Sequence, residues 1–157
     1  MIKIDKKLLD QTTEKAKAAS RNRMNHNFHK QSDDLLQRML NAMEPGTYIR
    51  PHKHENPDKR EAFVIIRGRV AFIEFDRNGR VVDHIVMDAA QGCYGLEIAP
   101  RCYHTLISLQ SGSVLYEVKD GPYNAETDKN FASWAPEEGS NEASMYLTML
   151  IDQLKLS

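Results

Sequence analysis

A chain of 157 residues with 41% apolar and 27% charged residues has the length and balance of one ordinary globular domain with a core of its own. Its net charge of -1, with no long basic block, argues against nucleic acid or an anionic membrane as partner. No apolar stretch approaches the length of a membrane span, and Met-Ile-Lys-Ile-Asp-Lys-Lys at the start lacks the apolar region of a signal peptide, so a cytoplasmic protein is expected.

Residues 5–19 read as a helix, with Leu8, Leu9, Thr12, Ala16 and Ala19 roughly on one face. Ser32 is a candidate cap for a second helix, with Asp33 and Asp34 in its first turn. Leu35, Leu36, Met39, Leu40 and Met43 then keep a helical period until Pro45-Gly46. Residues 1–46 are therefore expected to be a helical segment packed on the outside of a barrel.

From residue 47 to about 120 the texture changes. Short runs rich in Val, Ile, Phe, Tyr and Thr fall at 47–54, 61–67, 69–75, 80–87, 93–99, 102–109 and 113–119. Asp76-Arg77-Asn78-Gly79 is a hairpin signal, because Asn-Gly accepts positive φ. Gln110-Ser111-Gly112-Ser113 is another. Runs this short, with no helix between them, predict an antiparallel sandwich or barrel. A polar loop begins at 121, and 142–156 reads as a closing helix with an apolar stripe of Met145, Leu147, Leu150, Ile151 and Leu154. Cys93 and Cys102 have neither metal-type nor redox-type spacing and read as two buried thiols.

The chemistry concentrates in His52-Lys53-His54, Glu61 and His104. Residues i and i+2 of a strand point to one side, so His52 and His54 project together if 47–54 is extended. The turn-rich stretch 55–60 returns the chain to Glu61, and a strand at 102–109 brings His104 alongside. Three imidazoles and a carboxylate are a complete ligand set for a divalent transition metal, with at least one position left open. Such an ion polarises a carbonyl or acidifies a water. Zinc or iron is favoured weakly, with manganese, nickel and cobalt as alternatives.

Gly46-x5-His52-x-His54-x6-Glu61-x6-Gly68 resembles the first cupin motif, with a longer loop before the Glu. Gly95-x4-Pro100-x3-His104 resembles the second, shortened before its His and lacking its internal Gly. The stretches from Met39 to His54, Glu117-Val-Lys-Asp-Gly-Pro-Tyr123 and Phe131-Ala-Ser-Trp-Ala-Pro136 are similar to the WbuC family of cupin-fold metalloproteins, as is the run from Arg21 to His29. The resemblance implies a mainly β, cupin-type jelly roll and a link to O-antigen or lipopolysaccharide loci, with a sugar or nucleotide-sugar as the ligand. A metal-dependent isomerase or epimerase is one expectation; a non-catalytic carbohydrate-binding or sensor module is the other.

Strand alternation nominates the remaining cavity groups. Tyr48 and Arg50 share the face of His52 and His54, and Phe63 and Ile65 that of Glu61. Tyr103 should point away, and Tyr123 belongs to a loop near the mouth. Of His26 and His29, three apart, only one enters the cavity if the segment is extended. Arg50, Tyr48, His26 and His29 are thus the candidate catalytic groups, and Glu97 a further candidate base. A homodimer is expected, because sheet edges and apolar terminal segments need cover.

Overall fold

The structure, a computed structural model, describes residues 1–156. Helix α1 (Lys6–Ala18) leads into strands β1 (Arg23–Asn27), β2 (Leu36–Met43), β3 (His52–Lys53), β4 (Glu61–Arg67) and β5 (Val70–Phe75). Strands β6 (Val81–Met87), β7 (Gly95–Ile98), β8 (Tyr103–Ser108), β9 (Ser113–Asp120) and β10 (Asn130–Phe131) come next, and helix α2 (Asn141–Gln153) closes the chain. Two five-stranded antiparallel sheets form, in the orders β1-β2-β9-β4-β7 and β10-β3-β8-β5-β6. This is the cupin-type, mainly β architecture expected from the motifs, with one helix at each end.

Alternation along β4 shows how the pattern makes the barrel. Glu61, Phe63 and Ile65 are buried, while Val64 and Ile66 are exposed. The inner apolar residues join Met43, Ile49, Val70, Phe72, Met87, Ile98, Leu106 and Leu115 in one core cluster. The β5–β6 hairpin turns where the sequence placed it. Gly79 there has φ +83°, and a Cβ would stand 2.7 Å from the Trp134 ring, so only glycine fits.

Each helix covers one sheet from outside. Asp5 caps α1 by accepting from the Leu8 N–H at 3.0 Å. Leu9 and Ala16 then pack on Leu40, Ala42 and Val114. Arg67 ties the helix down through Asp10 (2.7 Å) and Thr13 Oγ1 (3.0 Å). Ser140 caps α2, whose Ala143, Leu147 and Leu150 pack on Tyr48, Ala71, Ile73, Phe75 and Ile107.

Four expectations are corrected. The second helix does not exist: residues 36–43 form β2, paired with β9 along its whole length from Leu36↔Asp120 to Met43↔Ser113. Gln37, Met39 and Asn41 face the barrel interior while Leu40 and Ala42 face α1. A strand buried on both sides loses the period-2 signal, and its apolar residues mimic a helical stripe. The barrel therefore includes β1, β2 and β10, outside the expected limits of 47–120. The stripe on α2 is narrower than expected, since Met145 is exposed. Cys93 and Cys102 are unpaired but only half-buried.

Candidate metal centre

His52 and His104 face each other as a register pair between β3 and β8, and His54 and Glu61 lie at the loop ends that join β3 to β4. All four side chains are buried. One ligand atom from each lies within 4.8 Å of the others. Glu61 Oε2 is 3.1 Å from both His54 Nε2 and His104 Nε2. The His52 ring centroid is 4.6 Å from that of His104, and Phe72 stacks on His104 at 5.7 Å.

The far sides of the rings define the chemistry. His52 Nδ1 faces the Arg50 carbonyl at 3.0 Å, His104 Nδ1 the Cys102 carbonyl at 2.9 Å, and His54 Nδ1 the Asp128 carbonyl. A carbonyl oxygen only accepts, so each Nδ1 carries the hydrogen. In the neutral ring Nε2 is then a lone pair, and all three lone pairs point into the cluster. His54 Nε2 and Glu61 Oε2 are buried and unpartnered. Two acceptors facing each other at 3.1 Å, away from water, are the arrangement a cation between them would satisfy. The residues present fit a divalent metal.

Burial pushes His52 well below the usual imidazole range, reinforced by the charges of Lys129 and His104. Burial alone would push Glu61 up; when His104 or His54 carries a proton on Nε2 as well, its hydrogen bond and charge outweigh burial and hold the carboxyl well below its usual range. Both shifts favour the deprotonated forms that bind metal.

Beside the cluster lies a cavity of about 640 Å³. Polar side chains in its walls are Arg23, Asn25 and Asn27 from β1, Gln37 and Asn41 from β2, and Glu117 and Lys119 from β9. The loop carrying Asp128 and Lys129 closes one side. Asp128 accepts from Lys59 Nζ at 2.8 Å and from Lys119 Nζ at 2.7 Å, in a network where all three residues are buried. The same residue, through its backbone, orients His54.

Arg50 and His29 line this cavity, although neither lies on a strand. His26 does not; it meets Phe28 edge-to-face at 5.2 Å, so one of the pair enters and the other stays out. Tyr48 is misplaced by the sequence reading. Its ring packs against Tyr146 of α2, its hydroxyl donates to the Pro136 carbonyl, and burial pushes its pKa up. The chain before β3 is not regular strand, so strict alternation from residue 47 fails. Glu97 is exposed on the outer face. Phe63 and Ile65 join the apolar core, Tyr103 packs with Trp134 beneath α2, and Tyr123 lies half-exposed at the mouth.

Sequence reasoning missed Glu117, Lys119, Asp128 and Lys129. Glu117 and Lys119 share the face of the core residue Leu115 at spacing i+2, a signal present in the sequence. Asp128 and Lys129 sit in a loop with no period to betray them.

Residues 4–87 match the family described as "Domain of unknown function (DUF6016)". This chain belongs to that family. The matched stretch holds His52, His54 and Glu61 but ends before His104. No curated protein matches the chain. Among solved structures, a Shewanella oneidensis protein is similar in fold, with 12% identity over 72% of this chain and 75% of that one at a TM-score of 0.54. The capsular polysaccharide assembling protein CapF of Staphylococcus aureus is similar with 17% identity over 69% of this chain and a TM-score of 0.50. This chain spans 31% of CapF. At such identities the likeness concerns the fold alone.

Proposed function

We propose that this DUF6016 chain binds one divalent transition metal through His52, His54, Glu61 and His104, and uses it on a sugar or nucleotide-sugar in surface-polysaccharide assembly. One observation carries the metal: three Nδ1–H groups are turned to backbone carbonyls, so three Nε2 lone pairs and a carboxylate converge in a buried cluster. Zinc or iron suits this donor set, with manganese, nickel and cobalt next. When bound, the ion supplies Lewis-acid polarisation of a ligand oxygen.

The sugar class is supported by the cavity, which offers amide side chains from Asn25, Asn27, Gln37 and Asn41 to hydroxyl groups. The O-antigen and lipopolysaccharide context comes from the WbuC resemblance in residues 117–123 and 131–136. The protein similar in fold from S. aureus is described as assembling capsular polysaccharide, which is consistent with this reading and does not carry it. The chain's own contributions are to orient the rings through carbonyls, to exclude water with Phe72 and the apolar core, and to hold a ligand between β1, β2 and β9.

A second reading, a non-catalytic carbohydrate-binding or sensor module, is favoured by one fact: Tyr48, His26 and Glu97 all lie away from the cavity as candidate bases. A homodimer belongs to the proposal as well, with Val64, Ile66 and Tyr94 as exposed apolar residues for an interface. Incubating metal-loaded protein with a panel of nucleotide-sugars, with NMR of the sugar resonances as readout, tests the reading. Conversion that is lost in His104→Ala supports the enzyme; binding without conversion selects the module. Neither binding nor conversion would remove the sugar assignment.

A further inference from the structure

The cavity beside the His-Glu cluster holds one cationic side chain with no ion-pair partner among the described residues, and a second that is only partly satisfied. Lys59 and Lys119 both spend their ammonium groups on Asp128. Lys129 lines the same cavity and makes no ion pair among the described residues. It immediately precedes β10, whose Phe131 is the register partner of His52, so it sits beside the strand that carries His52. Its charge is felt by His52, Glu61 and Glu117, and desolvation together with the nearby Lys119 depresses its own pKa.

Arg50 is the second group. Its guanidinium lies 5.3 Å from the Phe131 ring centroid, and Nη2 donates to the Ala132 carbonyl at 3.1 Å. Nη1 stands 3.8 Å from the exposed Glu137, and Nε is buried with no partner. A third group faces the same space: Asn41 is buried, its Nδ2 donates to Glu117 at 3.0 Å, and its Oδ1 is left without a donor. Unpaired buried donors and acceptors such as Arg50 Nε and Asn41 Oδ1 are costly, and half-buried Lys129 adds a charge with no counter-charge. A cavity that keeps all three is shaped for something that satisfies them.

We propose that Lys129 and Arg50 form an anion-binding end of this cavity, so that its ligand is a sugar bearing a carboxylate or a phosphate, with Asn41 Oδ1 accepting from a hydroxyl. Charge balance agrees. Lys59, Lys119, Lys129 and a divalent ion would face Glu61, Glu117 and Asp128, which leaves the interior positive until an anion enters. That balance rests on the metal reading, whereas the donors themselves do not.

The test is calorimetric titration of the full chain, metal-loaded and metal-stripped, with glucose, glucuronate and glucose 6-phosphate. At least one anionic sugar binds about tenfold tighter than glucose, and the preference weakens as salt is raised. Glucuronate as the tighter ligand identifies a carboxylate site, glucose 6-phosphate a phosphate site. Lys129→Met and Arg50→Gln each lower the anionic affinity about tenfold and leave metal content and glucose affinity unchanged. Equal binding of all three sugars by the wild type, or no binding of any, overturns the proposal, whether or not a variant folds. Unchanged anionic affinity in both folded variants also overturns it. If the protein holds no metal yet shows a Lys129-dependent preference for anionic sugars, the metal reading fails and the anion site stands.

Discussion

Asp128→Asn is the most informative single change outside the metal cluster. The carboxylate is 3% exposed and holds two buried ammonium groups, Lys59 at 2.8 Å and Lys119 at 2.7 Å. Asparagine keeps the shape but removes the charge. Lys119 then retains Glu61 at 3.9 Å, and Lys59 keeps only the Pro122 carbonyl. Breaking a buried pair by neutralising one partner typically costs about 3–5 kcal/mol, because the remaining charge stays desolvated. In a domain of this size that is a fall in Tm of about 10 °C. Urea unfolding monitored by circular dichroism measures it, and an unchanged m value shows that only stability moved. The pH dependence adds a second check. Burial pushes Asp128 up, but Lys119 and Lys59 outweigh it and hold its folded pKa below the ordinary carboxylate value. Its contribution is therefore full above the unfolded pKa, near 4, and is lost as pH falls through the folded value. The gap between wild type and variant should be widest at neutral pH and narrow in acid. Lys17→Ala, at an exposed pair with Glu14, serves as control and should show no resolvable change. A cost under about 1 kcal/mol for Asp128→Asn would refute the view that this network is desolvated.

Leu40→Ala tests the strand that the sequence hid. Leu40 is fully buried between β2 and Leu9 and Ala16 of α1, so thermal unfolding should show a loss of about 3 kcal/mol; under about 1 kcal/mol would contradict that packing. Metal-free protein should lose stability as pH falls from about 7 to about 5. The folded pKa of His52 is depressed by burial, so its contribution is full above the unfolded value near 6.5 and declines below it, by up to about 1.4 kcal/mol per pH unit. Thermal melts at both pH values check this; His52→Gln should flatten the dependence, and a wild-type Tm independent of pH would count against a neutral buried imidazole.

That His52, His54, Glu61 and His104 come together was legible because these residues obey local rules. His52 and His54 are spaced i and i+2, Glu61 opens a strand, and His104 comes after a Pro turn, so alternation alone brings them to one side. Strands β4 to β9 were legible because each is a short β-rich run bounded by turn residues, and β4 also keeps one face wet and one dry. Strand β2 was not, because α1 covers its outer face and erases the alternation. Tyr48 was misread because its segment is irregular and turns the ring toward α2. Lys129 and Asp128 escaped because a loop has no period, and Asp128 matters through partners distant in the chain, Lys59 and His54 among them.

The central claim is that His52, His54, Glu61 and His104 hold one divalent ion. Plasma mass spectrometry decides it, on wild type and His104→Ala stripped with chelator, reloaded singly with Zn, Mn, Fe, Co or Ni, and desalted. The geometry predicts one ion per wild-type chain for at least one metal, and a His104→Ala protein that keeps its β-sheet circular dichroism but loses most of that ion. Wild-type protein that retains no stoichiometric metal, or a folded His104→Ala variant that retains as much as wild type, would contradict it.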